Sequence, residues 1–124
     1  MTTIIVTGAN RGIGLELVKQ YCNRNYQVIG TYRDETTSGE LISMSRNLDN
    51  LKVHSLDVSS DQSLKDFSSK LGETPVDIFI NNAGVYGPRD SSFNNVDEKN
   101  WIPVFQTNAI APLLLTQLII DNLR

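Results

Sequence analysis

Short apolar runs alternate with helical-period segments along the whole chain, and that alternation admits few folds. Thr3 to Thr7 is a β-branched apolar run that reads as a strand. Gly12 to Arg24 follows, with Ile13, Leu17, Val18, Tyr21 and Cys22 at the spacing of one helix face. Gln27 to Tyr32 reads as a second strand, Thr37 to Leu48 as a weaker helix, and Lys52 to Leu56 as a third strand. Ser59, three residues before Gln62, predicts a capping box opening a helix to about Leu71. Val76 to Ile80 is almost wholly apolar, as in strands covered on both faces. A polar loop from Asn82 to Asn95 then precedes a long helical stretch from about Asp97 to the end. Pro103 and Pro112 are expected to bend or divide that stretch. Four strands alternating with helices predict βαβ units in a parallel α/β sheet.

Composition removes several classes of function. A length of 124 residues suits one domain. The net charge is −3 with no dense run of Lys or Arg, which argues against a nucleic-acid partner. Cys22 is the only cysteine and His54 the only histidine, so neither an internal disulfide nor a Cys/His metal cluster can be assembled. Cys22 sits in the helical apolar pattern and reads as a core thiol, and His54, in a strand-like run, reads as structural. The start MTTIIVTG has no basic region ahead of a long apolar stretch, so no signal peptide and no 18-residue apolar span is expected. A cytoplasmic protein with no membrane partner is the expectation.

The first strand runs into Thr7-Gly8-Ala9-Asn10-Arg11-Gly12-Ile13-Gly14, where a helix begins. Glycines there permit a tight turn and close backbone approach by a pyrophosphate. The helix N-terminus adds free N–H groups and partial positive charge for the anion. Three glycines alone would also fit a plain turn or a methyltransferase-type loop. Their position between strand and helix favours a dinucleotide site.

The same stretch resembles the T-G-x-x-x-G-x-G signature of short-chain dehydrogenases/reductases, in their compact branch. Asn81-Asn82-Ala83-Gly84, after the fourth strand, is identical to that family's N-N-A-G motif. Asp57-Val58 follows the third strand where the family holds adenine, and Asn108-Ala109-Ile110-Ala111-Pro112 resembles its asparagine-bearing helix. The wording around Val85 to Pro88, Trp101 and Phe105 is similar to the C-factor and sniffer carbonyl-reductase group. The resemblance implies a Rossmann-type doubly wound parallel sheet, incomplete at about four strands with flanking helices. It implies that residues 1–124 are the N-terminal part of an NADP-binding domain, with the catalytic part outside them. The cofactor-binding residues it implies are Gly8, Asn10, Arg11, Gly12, Ile13, Gly14, Arg33, Asp57, Val58, Asn81, Ala83 and Gly84. Asp57 would accept from the adenine amino group or merely cap a turn. Asn81 would tie adjacent strands, and Ala83 and Gly84 would keep room beside the nicotinamide ribose.

NADP(H) is expected over NAD. An NAD site usually places Asp or Glu at the end of the second strand. Tyr32 and Arg33 stand there instead, and Arg33 offers a planar fork of donors to a 2′-phosphate. Arg11 falls in the family's other basic NADP position. Asp34 would relax the preference if it, not Tyr32, occupied the ribose position.

The resemblance also implies the chemistry: hydride transfer between NADP(H) and a small carbonyl or alcohol substrate. The family uses a Ser and a Tyr with Lys four residues later, on one helix face. An Asn whose backbone holds a relay water completes its set. Only the Asn equivalent, Asn108, is expected here; a local hydrogen bond that bends the helix is the bland alternative for it. Tyr21, Tyr26, Tyr32 and Tyr86 are followed four residues later by Asn25, Gly30, Thr36 and Asp90. The 124 residues alone are therefore expected to be inactive, covering about half of a family member. Leu113, Leu114, Leu115, Leu118, Ile119 and Ile120 spread over more than one helix face, which predicts an exposed apolar patch and a homo-oligomer. The loop from Val85 to Val96 is a candidate substrate wall, with Tyr86 and Phe93 as contacts. A non-enzymatic dinucleotide-binding or signalling module, or an inactive truncated product, are the alternative readings.

Overall fold

The computed structural model describes all residues from Met1 to Arg124. Four strands, β1 (Thr3–Val6), β2 (Gln27–Tyr32), β3 (Leu51–Ser55) and β4 (Ile78–Ile80), form one parallel sheet in the order β3-β2-β1-β4. Ile4 and Ile5 of β1 pair with Val28 and Ile29 on one side and with Ile78 and Phe79 on the other. This is the parallel α/β sheet expected from the alternation, in the incomplete, doubly wound Rossmann-type arrangement that the resemblance implies.

Helices cover both faces, which explains why β1 is apolar without alternation. Ile4 and Val6 pack with Leu15, Val18 and Cys22 of α1 (Gly12–Asn23) and with Leu41 of α2 (Gly39–Asn47). Ile5 points the other way, to Leu64, Phe67 and Leu71 of α3 (Asp61–Leu71) and to Leu115 and Ile119 of α5 (Ala111–Ile119). Ile4, Ile5 and Val6 are fully buried, and each such side chain contributes roughly 1.5–3 kcal/mol. Cys22 is a buried core thiol, and burial pushes its pKa up. His54 stands edge-on to Phe67, with ring centroids 5.9 Å apart, and burial lowers its pKa.

Several boundaries differ from the sequence expectation. The cap of α3 is Ser60, whose hydroxyl accepts from Ser63 N at 3.2 Å. Ser59 is not the cap, because Asp57 captures its hydroxyl at 2.6 Å. A 3₁₀ turn, Glu35–Thr37, precedes α2. Val76 lies ahead of β4 and forms a bridge with Leu123.

The two prolines do not divide the last helical stretch. It runs continuously from α4 (Glu98–Phe105) through a π-helical turn, Gln106–Ile110, into α5 and a 3₁₀ turn, Ile120–Asn122. Pro112 has no N–H to bond the Asn108 carbonyl, and its ring crowds that position. The wider turn absorbs the mismatch, with Ala111 N–H bonding Gln106 O five residues back. Contrary to the expectation of no 18-residue apolar span, the helical stretch Glu98–Asn122 contains an 18-residue window with a mean hydropathy of 1.3, long and apolar enough to cross a membrane. One face of it is docked on the sheet through Ala111, Leu115 and Ile119, which are buried.

Candidate functional site

The chain leaves β3, crosses the sheet through α3 and returns on the far side of β1. Order therefore reverses between β1 and β4, and a crevice opens outside their carboxyl ends, where ligands bind in open α/β sheets. A cleft of about 480 Å³ lies there.

Its floor is the turn after β1, held by side chains from two strands. The buried Thr7 hydroxyl accepts from Asn82 N at 3.0 Å and Ala83 N at 3.1 Å. Ala9 N–H donates to Thr31 O of β2 at 2.8 Å. Gly8 has φ +61°, and a Cβ on it would lie 2.8 Å from Ala83 Cα. Gly12 has φ +59° with open space around it, on the side a ligand would approach. A Cβ on Gly14 would overlap the Gly8 carbonyl oxygen. Gly14 therefore sits beneath the cleft rather than in its wall.

The N-terminus of α1 is unsatisfied by its own chain. Its cap residue, Arg11, makes no side-chain cap bond, and the first turn holds no acidic residue. Ser60 and Asp97, in contrast, cap α3 and α4 with their side chains. The leading N–H groups of α1 are thus free for an anion.

The second wall comes from the ends of β2 and β3. Arg33 is exposed and makes no ion pair, and the same holds for Arg11 across the turn. Asp34 also lines the cleft, but its Oδ1 accepts from Thr36 N at 3.0 Å and Thr36 Oγ1 at 2.8 Å. Those bonds, the hydroxyl's first, hold its pKa below the usual carboxylate value, and the nearby Arg33 charge adds to the effect. Tyr32, before them, closes β2 and is half-buried.

The third wall is Ala83 to Tyr86 with Thr107 behind it. Asn108 clamps this wall: its Oδ1 accepts from Val85 N and its Nδ2 donates to Val85 O, both at 2.8 Å. The bland reading of a local helix-bending bond is therefore replaced by a contact 23 residues away. A wider, more open hollow of about 750 Å³ adjoins the cleft, sharing Arg33, Val85 and Thr107.

Nine of the expected residues meet in the cleft: Gly8, Asn10, Arg11, Gly12, Ile13, Arg33, Val58, Ala83 and Gly84. Asp57 does not line it. Its carboxylate accepts from Ser59 N at 3.0 Å and Ser59 Oγ at 2.6 Å, the turn-capping role. Asn81 is exposed beside the sheet, and its side chain makes no hydrogen bond. The strand tie expected of Asn81 belongs to Asn82, whose Nδ2 donates to Gly8 O at 3.0 Å. The reason is parity: Ile80 turns toward the α1 face, so Asn81 turns away and Asn82 turns back toward the β1 turn.

The sequence reading missed Leu56, Thr37 and Thr107. Leu56 follows directly on β3, so its place at the carboxyl end of the sheet was the available signal. Thr37 reaches the cleft because Asn10 Nδ2 donates to its carbonyl at 3.5 Å. Thr107 is brought in by the π turn, for which the sequence carries only the proline.

Comparison with known proteins gives a consistent picture. Residues 2–124 match the family model for short chain dehydrogenase. A short-chain dehydrogenase/reductase 1 of Saponaria officinalis is 42% identical over 91 residues, which is 67% of this chain and 30% of that protein. The NADPH-bound carbonyl reductase from chicken fatty liver superposes with a TM-score of 0.89 at 33% identity, over 98% of this chain and 51% of that one. The Sniffer protein of Caenorhabditis elegans, described as a carbonyl reductase, gives a TM-score of 0.82 at 34% identity, over 98% and 54%. The chain thus spans about half the length of these solved structures.

Proposed function

The chain belongs to the short-chain dehydrogenase family, and from that premise we propose that residues 1–124 form the NADP(H)-holding part of an oxidoreductase. The reaction is hydride transfer between the nicotinamide and a small carbonyl or alcohol substrate. The observation that carries this reading is the convergence of nine family-motif residues on one cleft with two unpaired arginines at its rim.

The cleft fits the group by its own geometry. The free N–H groups of α1 and the open face of Gly12 would take the pyrophosphate. Arg11 and Arg33 would take the 2′-phosphate, as charge-assisted donors do. Val58 would lie against the adenine, and Ala83 and Gly84 would leave room beside the nicotinamide ribose. When bound, the nicotinamide supplies or accepts the hydride. Asn108 serves this site twice. Its side chain fixes Val85 in the wall, and its carbonyl, to which Pro112 offers no N–H, would hold a water of a proton relay. Asp57 acts in this reading by shaping the turn that presents Val58, and Asn81 as support at the end of β4.

The test is calorimetric titration with NADPH and NADH. Arg33→Ala is expected to weaken NADPH binding by about 1.5–3 kcal/mol, the range for hydrogen bonds to a charged group, while NADH binding barely changes. Equal losses for both cofactors refute the 2′-phosphate role. A second reading is a dinucleotide-binding module without catalysis. Cofactor binding without turnover against a panel of carbonyl compounds would support it.

A further inference from the structure

We infer that Thr36 is a positioning residue for cofactor choice: its N–H and hydroxyl hold Asp34 Oδ1 in the backbone turn at the cleft wall and so keep the carboxylate from reaching a ribose 2′-hydroxyl. The inference rests on reading the cleft as a dinucleotide site. An acid near the end of the second strand selects a ribose 2′-hydroxyl, whereas an arginine there selects a 2′-phosphate. This chain carries both, side by side, as Arg33 and Asp34. Their sequence alone leaves the outcome open, and the turn decides it.

Asp34 Oδ1 receives two donors from one residue, Thr36 N at 3.0 Å and Thr36 Oγ1 at 2.8 Å. It makes no ion pair with Arg33, which keeps its charge unpaired at the cleft rim. The Asp34 backbone is anchored independently. Its carbonyl accepts from Ser38 Oγ at 2.6 Å, Thr37 Oγ1 at 3.2 Å and Thr37 N at 3.3 Å, and Ser38 is fully buried. Removing the Thr36 hydroxyl therefore leaves the turn in place and loosens only the carboxylate. A loosened carboxylate can swing toward a ribose 2′-hydroxyl and oppose a 2′-phosphate.

The experiment measures dissociation constants for NADP⁺ and NAD⁺ with the unsubstituted chain, Thr36→Val, Thr36→Ser, Asp34→Asn and the Thr36→Val/Asp34→Asn pair. Thr36→Val should lower the preference for NADP⁺ about fivefold, less than the full worth of a hydrogen bond to a carboxylate because water replaces the hydroxyl at the exposed Asp34, with NAD⁺ binding tightened. Thr36→Ser should keep the original preference, and adding Asp34→Asn to Thr36→Val should restore it. Asp34→Asn alone, which removes a negative charge from the cleft wall, should not weaken NAD⁺ binding, and this keeps a decisive variant if Thr36→Val fails to fold. Equal changes in both affinities, no change with Thr36→Val, failure of Thr36→Ser to preserve the preference, or a loss of NAD⁺ affinity in Asp34→Asn alone would each overturn the inference. An unsubstituted chain that binds NAD⁺ as well as NADP⁺ also overturns it. Binding of neither dinucleotide overturns the function reading itself.

Discussion

Replacing Gly14 by alanine inserts one methyl group between the first turn of α1 and the turn after β1. The new Cβ would overlap the Gly8 carbonyl oxygen and lie 2.5 Å from Asn82 Nδ2. Those two atoms bond each other at 3.0 Å, so the methyl enters the hydrogen bond that joins the β1 turn to the end of β4. Neither partner is the tip of a long side chain. Overpacking of this kind costs about 1–3 kcal/mol, and the lost hydrogen bond adds about 0.5–1.5 kcal/mol. Alanine regains about 1 kcal/mol over glycine in a helix. The clash wins, and a net loss of roughly 2 kcal/mol lowers the melting temperature by roughly 6–12 °C for a domain of this size. Gly12 is the comparator. Nothing lies within 4 Å of its Cβ direction, but its φ is +59°. Gly12→Ala therefore costs about 1–2 kcal/mol through backbone conformation alone, and asparagine, which tolerates that region, should recover much of it. Thermal unfolding followed by circular dichroism separates the two cases. Gly14→Ala melting within about 2 °C of the parent, or Gly14→Asn behaving like Gly12→Asn, would refute the steric argument.

Three further outcomes are expected. Asp77 is held at a pKa of about 2, first by its bond to Arg124 and then by Thr3 N–H. A depressed carboxylate stabilises the fold above its unfolded value, so this contribution should disappear as pH falls from about 4 toward 2. A pH series of melts on Asp77→Asn should be flatter there than the parent. Asn108→Ala removes both 2.8 Å bonds to Val85, and because Val85 is partly exposed to replacing water the loss should be about 1 kcal/mol. Hydrogen exchange at the Val85 amide should speed several-fold while amides of β1 stay protected. Ile102, Phe105, Ile110, Leu113, Leu118 and Ile120 are exposed along one long helical stretch, and we propose that it self-associates. Light scattering should give a mass above 13.8 kDa, and a sharp monomer with two-state melting would contradict the proposal.

The sheet was legible because each strand is a short apolar run and each helix carries its own period. β2 falls on the predicted residues, and α1 differs by one. The floor of the site was legible for the same reason: glycine spacing between a strand and a helix has a local physical meaning. What the sequence did not reveal depends on contacts between distant segments. Asn81 and Asn82 are the same residue type, side by side, and only the pleat of β4 decides which one reaches Gly8. Arg33 and Asp34 likewise stand adjacent, and only the bonds from Thr36 decide which charge is free.

The last helix shows how one apolar pattern can serve several surfaces. Its hydropathy satisfies the length and composition of a membrane span, and no single helical face accounts for all its leucines and isoleucines. The buried positions Ala111, Leu115 and Ile119 recur every four residues, which defines one face docked on Leu64 and Phe67. Leu113 and Leu118 lie outside that row and are exposed. Upstream, the π turn interrupts the pattern with Gln106, Thr107 and Asn108, and it is there that the helix meets the cleft wall. A straight α-helix through Pro112 would keep the ordinary spacing and set the Asn108 carbonyl against the proline ring. The widened turn relieves that conflict, in the same place where the side chain grips Val85. The proline thus reads as part of the site: it forces the local geometry by which an apolar helix delivers polar groups to the cleft.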